Sequence, residues 1–155
     1  MRALLPEDAA AARVLLLEQF GGTRYETRML QLLELTGADG EHECAVVVHG
    51  DLTIGAVVVV RKVAGALGVE SIVCLAGTEA PVLDQAVMWV LSRARMKSTR
   101  LVIAELPASP EFNASAHALE RAGIHEEGEV SDFVSDGIGM RLLTFRLYEV
   151  DERAS

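Results

Sequence analysis

The parts of this chain with the chemistry of a site are two carboxylates and one strand, loop and helix passage. Glu70 lies within an apolar run, and Glu105 closes the run Leu101-Val102-Ile103-Ala104. A carboxylate at either place can take a proton from an ammonium substrate, directly or through a water. The end of a strand, where Glu105 sits, is also where ligand clefts open in α/β sheets. Residues 67–96 read as an apolar strand, a Gly-Thr-Glu-Ala-Pro break and a segment of helical period. Such a passage aims unpaired backbone N–H groups and the positive helix end at one point, which suits a phosphate. His117 falls in a later helical segment, where a surface or half-buried histidine is the plainer reading. His42, His49 and His125 adjoin turns and strand ends with no ligand spacing among them, so no metal is expected. Cys44 and Cys74 are far apart in apolar runs, as reduced core thiols would be.

Charge excludes one class of partner. Lys and Arg number 14 against 23 Asp and Glu, a net charge of −9, which repels a polyphosphate backbone. Nucleic acid is therefore not expected. Pro6, Glu7 and Asp8 interrupt the first apolar residues, and no run approaches the ~20 apolar residues of a membrane span. The expectation is a cytoplasmic protein without membrane contact. With 155 residues, 50% hydrophobic and 24% charged, the chain suits one globular domain over residues 1–150 and a frayed tail over 151–155.

The elements that must position these groups follow from periodicity. Residues 1–5 form an extended start, and Glu7 or Asp8 caps an Ala-rich helix to about residue 19, closed by Gly21-Gly22. A second helix runs from residue 23 or 24 to 35, with Met29, Leu32, Leu33 and Leu35 on one side and Gly37 as its stop. Its Arg24, Tyr25, Glu26 and Arg28 face water or a bound substrate. Residues 44–49, 53–63 and 67–75 are Val- and Ile-rich strands joined by turns at Gly50-Asp51 and Ala64-Gly65, an antiparallel meander. Val82, Leu83, Ala86, Val87, Val90, Leu91 and Ala94 then make a stripe of period 3.6. Trp89 lies off that stripe and marks a core or dimer contact, the basis for expecting a homodimer. A strand over 101–105 returns parallel to the third meander strand. A polar loop over 106–111, a helix over 113–122 stopped by Gly123, and strands over 125–130 and 140–148 complete the domain. The last two are joined by the loop 131–139, in which Asp132-Phe133 caps a turn and fills the core.

This order of elements resembles the GNAT superfamily, the acyl-CoA N-acyltransferase fold: an α/β (α+β) domain whose mixed, mostly antiparallel sheet carries helices on both faces. At residue level the likeness is specific over 101–147. There a strand ends in Glu105, Leu119-Glu120-Arg121-Ala122-Gly123-Ile124 matches a Tyr-Glu-Arg-x-Gly-Phe helix end, and Asp132-Phe133-Val134-Ser135-Asp136-Gly137 matches an Asp-Phe-Tyr-x-x-Gly loop. The resemblance implies acetyl-CoA as cofactor, lying where the fourth and fifth strands part, and an amine that attacks its thioester carbonyl. The acceptor implied is a small-molecule amine or a peptide N-terminus.

The same resemblance implies backbone contacts to the cofactor from Cys74 and Leu75, and a pyrophosphate loop equivalent to Thr78-Glu79-Ala80-Pro81-Val82-Leu83. The family's loop reads Gln or Arg, two residues, Gly, one residue, Gly or Ala; this chain differs at every anchor. Pro81 has no N–H, Leu83 brings a side chain, and Glu79 and Asp84 add negative charge near the helix start. Leu119 stands where the family's helix Tyr protonates the departing thiolate, leaving Ser115 or His117 as stand-ins. Glu70 matches the third meander strand, on which the family often carries an acidic residue. Two functions follow: an N-acetyltransferase with Glu105 or Glu70 as base, or a GNAT-fold binding or scaffolding protein that has lost acyl-CoA binding.

Overall fold

Seven consecutive buried residues, Ile54 to Val60, mark the strand around which the sheet is built. A strand with no polar alternation must be covered on both faces. A computed structural model of the chain describes residues 1–35, 40–49, 51, 53–74 and 80–147, with backbone only at 35, 70, 71, 73 and 74. Its strands are β1 (Arg2–Ala3), β2 (His42–Val48), β3 (Ile54–Val63), β4 (Ala66–Cys74), β5 (Leu101–Pro107), β6 (His125–Ser135) and β7 (Ile138–Arg146). The helices are α1 (Ala9–Phe20), α2 (Glu26–Leu35), α3 (Ala80–Met96) and α4 (Asn113–Arg121), with short 3-10 turns before α1 and α4.

One sheet holds all seven strands in the order β1-β2-β3-β4-β5-β7-β6. Only β4 and β5 run parallel; every other neighbouring pair is antiparallel. The expected meander β2-β3-β4 and the parallel return through α3 are both present. All seven stripe residues of α3 are buried, against strands β2 to β5. Helices α1 and α2 contribute Ala12, Leu15, Leu16, Phe20, Met29 and Leu32 to the same core.

Several boundaries differ from the sequence expectations. The strand expected over 67–75 begins at Ala66 and ends at Cys74, and Leu75 lies outside the described residues. The expected strand over 101–105 runs on to Pro107, because Leu106 and Pro107 pair with Arg141 and Met140 of β7. Most of the expected loop 131–139 is strand: β6 continues to Ser135 and a turn at Asp136-Gly137 leads into β7. Phe133 is 48% exposed and does not fill the core, since β6 is the outer strand and its residues 125–133 are all exposed. Asp132 does cap the turn, its Oδ1 accepting the Gly137 N–H at 2.7 Å. Asp8 does not cap α1 through its side chain. Its carboxylate turns back to accept the Leu5 N–H at 2.8 Å and both Nη groups of Arg2, fastening the first strand to the helix.

Candidate active site

The geometry of interest begins where two neighbouring strands stop pairing. Residues 66–69 of β4 pair with 101–104 of β5, the last pair being Val69 with Ala104. Beyond it β4 stays with β3 as far as Cys74 opposite Ala56, while β5 stays with β7 as far as Pro107 opposite Met140. The two strands therefore part into a V. The cause is visible in the register of β3 and β4, where Val60 faces Val69 and Val59 faces Ser71. Glu70 is the extra residue of a bulge, which bends its strand and increases its twist.

Both candidate bases stand at the vertex. Glu70 and Glu105 each follow directly on the last β4–β5 pair, so two residues 35 positions apart in sequence occupy one level of the sheet. Glu105 is exposed and pairs across the ladder with Leu142. Of Glu70 only the backbone position is described.

The other candidates divide between the opening and the start of α3. Cys74 ends β4 at the open side of the V; Leu75, Thr78 and Glu79 lie outside the described residues. Ala80, expected in the break before the helix, belongs to the helix with the stripe residues Val82 and Leu83. Pro81 permits this, because proline is tolerated in a first turn where its missing N–H has no intrahelical acceptor. Val82 and Leu83 have their side chains in the core, at 7% and 2% exposure, so Leu83 does not crowd the helix end as its size suggested. Of the two, only the Val82 N–H lies among the donors that a helix start leaves unused. Asp84 forms an ion pair with Arg121 of α4 at 2.6 Å, so its charge is compensated rather than bare. Between α3 and α4 runs a groove of about 270 Å³ that includes Asp84, Met88 and Arg121.

Helix α4 reaches β4 beyond the vertex through Ser115. Ser115 is buried, and its Oγ donates to the Ile72 carbonyl of β4 at 3.3 Å, a hydroxyl facing the strand where β5 has left it. His117 is exposed on the other side of the helix. Leu119 is fully buried for a local reason. The Ile124 N–H bonds to the Leu119 carbonyl at 3.0 Å and the Gly123 N–H to the Glu120 carbonyl at 2.9 Å, with Gly123 at φ +88°. That is a Schellman helix end, in which the third residue from the C-terminus packs on the residue after the glycine; Leu119 and Ile124 are that pair, both at 0% exposure.

One contact was not read from sequence. Tyr25, just before α2, and Phe133 of β6 bring their rings to 6.3 Å between centroids, an outward-facing aromatic pair where Phe133 was expected inside. The signal available was the density of charge in residues 125–132, which marks an outer strand. Among the described residues no group of His, Cys, Asp and Glu could hold a metal, and no helix is long and apolar enough to cross a membrane.

Solved structures with this architecture are numerous. A Desulfovibrio desulfuricans protein of the GNAT family aligns at a TM-score of 0.70 with 19% identity, over 96% of this chain and 98% of its own. The ribosomal-protein-alanine N-acetyltransferase of Brucella melitensis aligns at 0.74 with 16% identity, over 94% and 98%. A Salmonella typhimurium protein solved with its cofactor acetyl-CoA aligns at 0.75 with 12% identity, over 96% and 93%. No protein-family model matches the sequence, and no curated protein matches it either.

Proposed function

From a chain that has the GNAT fold, we propose an acyl-CoA-dependent N-acetyltransferase acting on an amine. The single observation that carries this is the parting of β4 and β5 after Val69 and Ala104, with Glu70 and Glu105 at the vertex. Acetyl-CoA fits what the chain offers. The edge of β4 that β5 abandons can pair with an amide-bearing chain, and the first turn of α3 has the Ala80 and Val82 N–H groups for a phosphate. Cys74 and Leu75 would contribute backbone, with Thr78, Glu79 and Ala80 beside the helix start. The cofactor when bound supplies an acyl group activated as a thioester.

The rest of the reaction belongs to the protein. Glu105, open to solvent, takes the proton from the incoming ammonium directly or through a water, and Glu70 is the second candidate for that role. The free amine lone pair then forms the new C–N bond as the C–S bond breaks. Leu119 has no proton to give, so the second proton that the nitrogen sheds on becoming an amide passes through water to the departing thiolate. The Ser115 hydroxyl, already aimed at the Ile72 carbonyl, supplies a fixed dipole at β4 beyond the vertex. The acceptor enters from the side of Tyr25 and Phe133 as a small amine or a peptide N-terminus.

A second reading has its own observations: Pro81 removes one donor, and Leu119 is a core residue. On that reading the chain is a non-catalytic binding or scaffolding protein. Calorimetric titration with acetyl-CoA separates the two. Saturable binding in the micromolar range supports the transferase, and no heat at millimolar ligand refutes it.

A further inference from the structure

At the β1 edge of the sheet lies a second cavity, separated from the β4–β5 opening by β3. It is an open pocket of about 530 Å³ between the chain start, β2 and α3, within the range of small-molecule sites. β1 is so short that its pairing with β2 ends at the Leu4 N–H to Cys44 carbonyl bond. The end of β2 at His42 and Glu43 therefore runs on past β1, and Trp89 and Arg93 of α3 stand over it.

The lining has a specific chemistry. Trp89 and Arg93 are one helical turn apart and share a face. Arg93 Nε donates to Glu43 at 2.5 Å, and Lys97 Nζ pairs with the same carboxylate. Two cations thus share one anion and leave a surplus positive charge, on a chain whose net charge is −9. The bond through Nε fixes the guanidinium plane. Among the described residues Arg93 has no ion-pair or hydrogen-bond partner besides Glu43, so its two Nη groups are available as a fork. Ala3, Leu4 and Cys44 form an apolar wall. Burial pushes the Cys44 thiol up to about 12, with Asp8 adding to the shift, and the wall carries no charge.

We propose that this pocket binds a planar aromatic carboxylate, its ring against Trp89 and its carboxylate on the Arg93 fork. An indole offers a stacking surface to a flat ring, and a guanidinium binds a carboxylate through two parallel hydrogen bonds. A neutral ring would forgo the charge, and a tetrahedral anion would forgo the stacking. The site is independent of the acyl-CoA opening and stands whether or not the protein is a transferase.

Trp89 is the only tryptophan in the chain, so intrinsic fluorescence reports this pocket directly. Titration with benzoate should change the emission saturably, with half-saturation at about 1 mM or below. Benzamide and inorganic phosphate should each bind at least about tenfold more weakly, as should benzoate to Arg93→Gln. Arg93→Lys keeps the charge without the fork and should fall between; it replaces Arg93→Gln should that variant not fold. Absence of a saturable change, phosphate binding as tightly as benzoate, or a folded Arg93→Gln with unaltered affinity would each overturn the proposal. So would sedimentation showing a dimer whose contact covers Trp89 and leaves it unresponsive to benzoate.

Discussion

Replacing Pro81 with alanine asks directly whether the start of α3 receives a phosphate. In the described structure Ala80 and Pro81 are the first two residues of the helix and both are exposed. An N–H restored at residue 81 has no intrahelical acceptor, because it falls within the first turn. It would therefore be free to join those of Ala80 and Val82. A hydrogen bond to a charged group contributes about 1.5–3 kcal/mol. At so exposed a position solvent screening reduces this to about 1 kcal/mol, or roughly fivefold in affinity. The cost is small: losing proline's restriction of the unfolded chain removes about 0.4–1 kcal/mol of stability, a fall in Tm of about 1–4 °C for a chain of this size. The assay is calorimetry of wild type and Pro81→Ala with CoA, repeated with pantetheine, which lacks the pyrophosphate. Tighter binding of CoA with unchanged binding of pantetheine is the expected result. Equal gains for both ligands, or no gain for CoA, would refute a phosphate role for this helix end.

Three further outcomes follow from other residues. Glu105→Gln should lower kcat/KM by about 10²- to 10⁴-fold while leaving acetyl-CoA affinity unchanged; a parallel loss of cofactor binding would remove Glu105 from the role of base. Leu119→Ala should destabilise the fold by about 2–5 kcal/mol in urea unfolding, and Leu119→Tyr should cost stability without raising turnover, because the position faces the core. The third concerns acid. Hydrogen bonds from Arg2, opposed by partial burial and aided by the Leu5 N–H, hold the Asp8 carboxyl below its ordinary 3.8. A depressed folded-state value means that this stabilisation is complete above pH 3.8 and is lost as pH falls through the lower folded value. Thermal melts should thus show wild type losing more stability than Asp8→Asn below about pH 4, and parallel curves would dismiss the carboxylate as an acid-sensitive clasp.

The parts of the fold that were legible are those written in local periodicity. The stripe from Val82 to Ala94 places α3 and its burial together, and the unbroken apolar run of β3 announces a strand covered on both faces. What escaped depends on partners distant in sequence. Phe133 sits in a phrase that looks like a turn with an aromatic plug, but β7 lies between β5 and β6. That insertion makes β6 the outer strand and turns Phe133 outward to Tyr25. Glu70 looked like one acidic residue on a strand; its place at the bulge exists only in the register between β3 and β4. The pocket at Trp89 was equally hidden, since its walls come from residues 3 and 4, β2 and α3.

The C-terminal helix motif shows how far a resemblance carries chemistry. Leu119, Gly123 and Ile124 are spaced as a helix end needs them: a glycine free to take positive φ, and two apolar residues that meet across it. This requirement is met in the chain with no reference to a ligand, and both apolar partners are wholly buried. The same spacing can therefore persist whether or not the first position carries a proton donor. The V between β4 and β5 is a different kind of feature. Its bulge gives up regular pairing in the middle of a seven-stranded sheet. The helix end is accounted for by its own packing, whereas the bulge brings two carboxylate residues to one level of the sheet. This asymmetry places the case for function at Glu70 and Glu105 rather than at Leu119, and it makes the Glu105→Gln comparison the one that weighs the two readings of the chain.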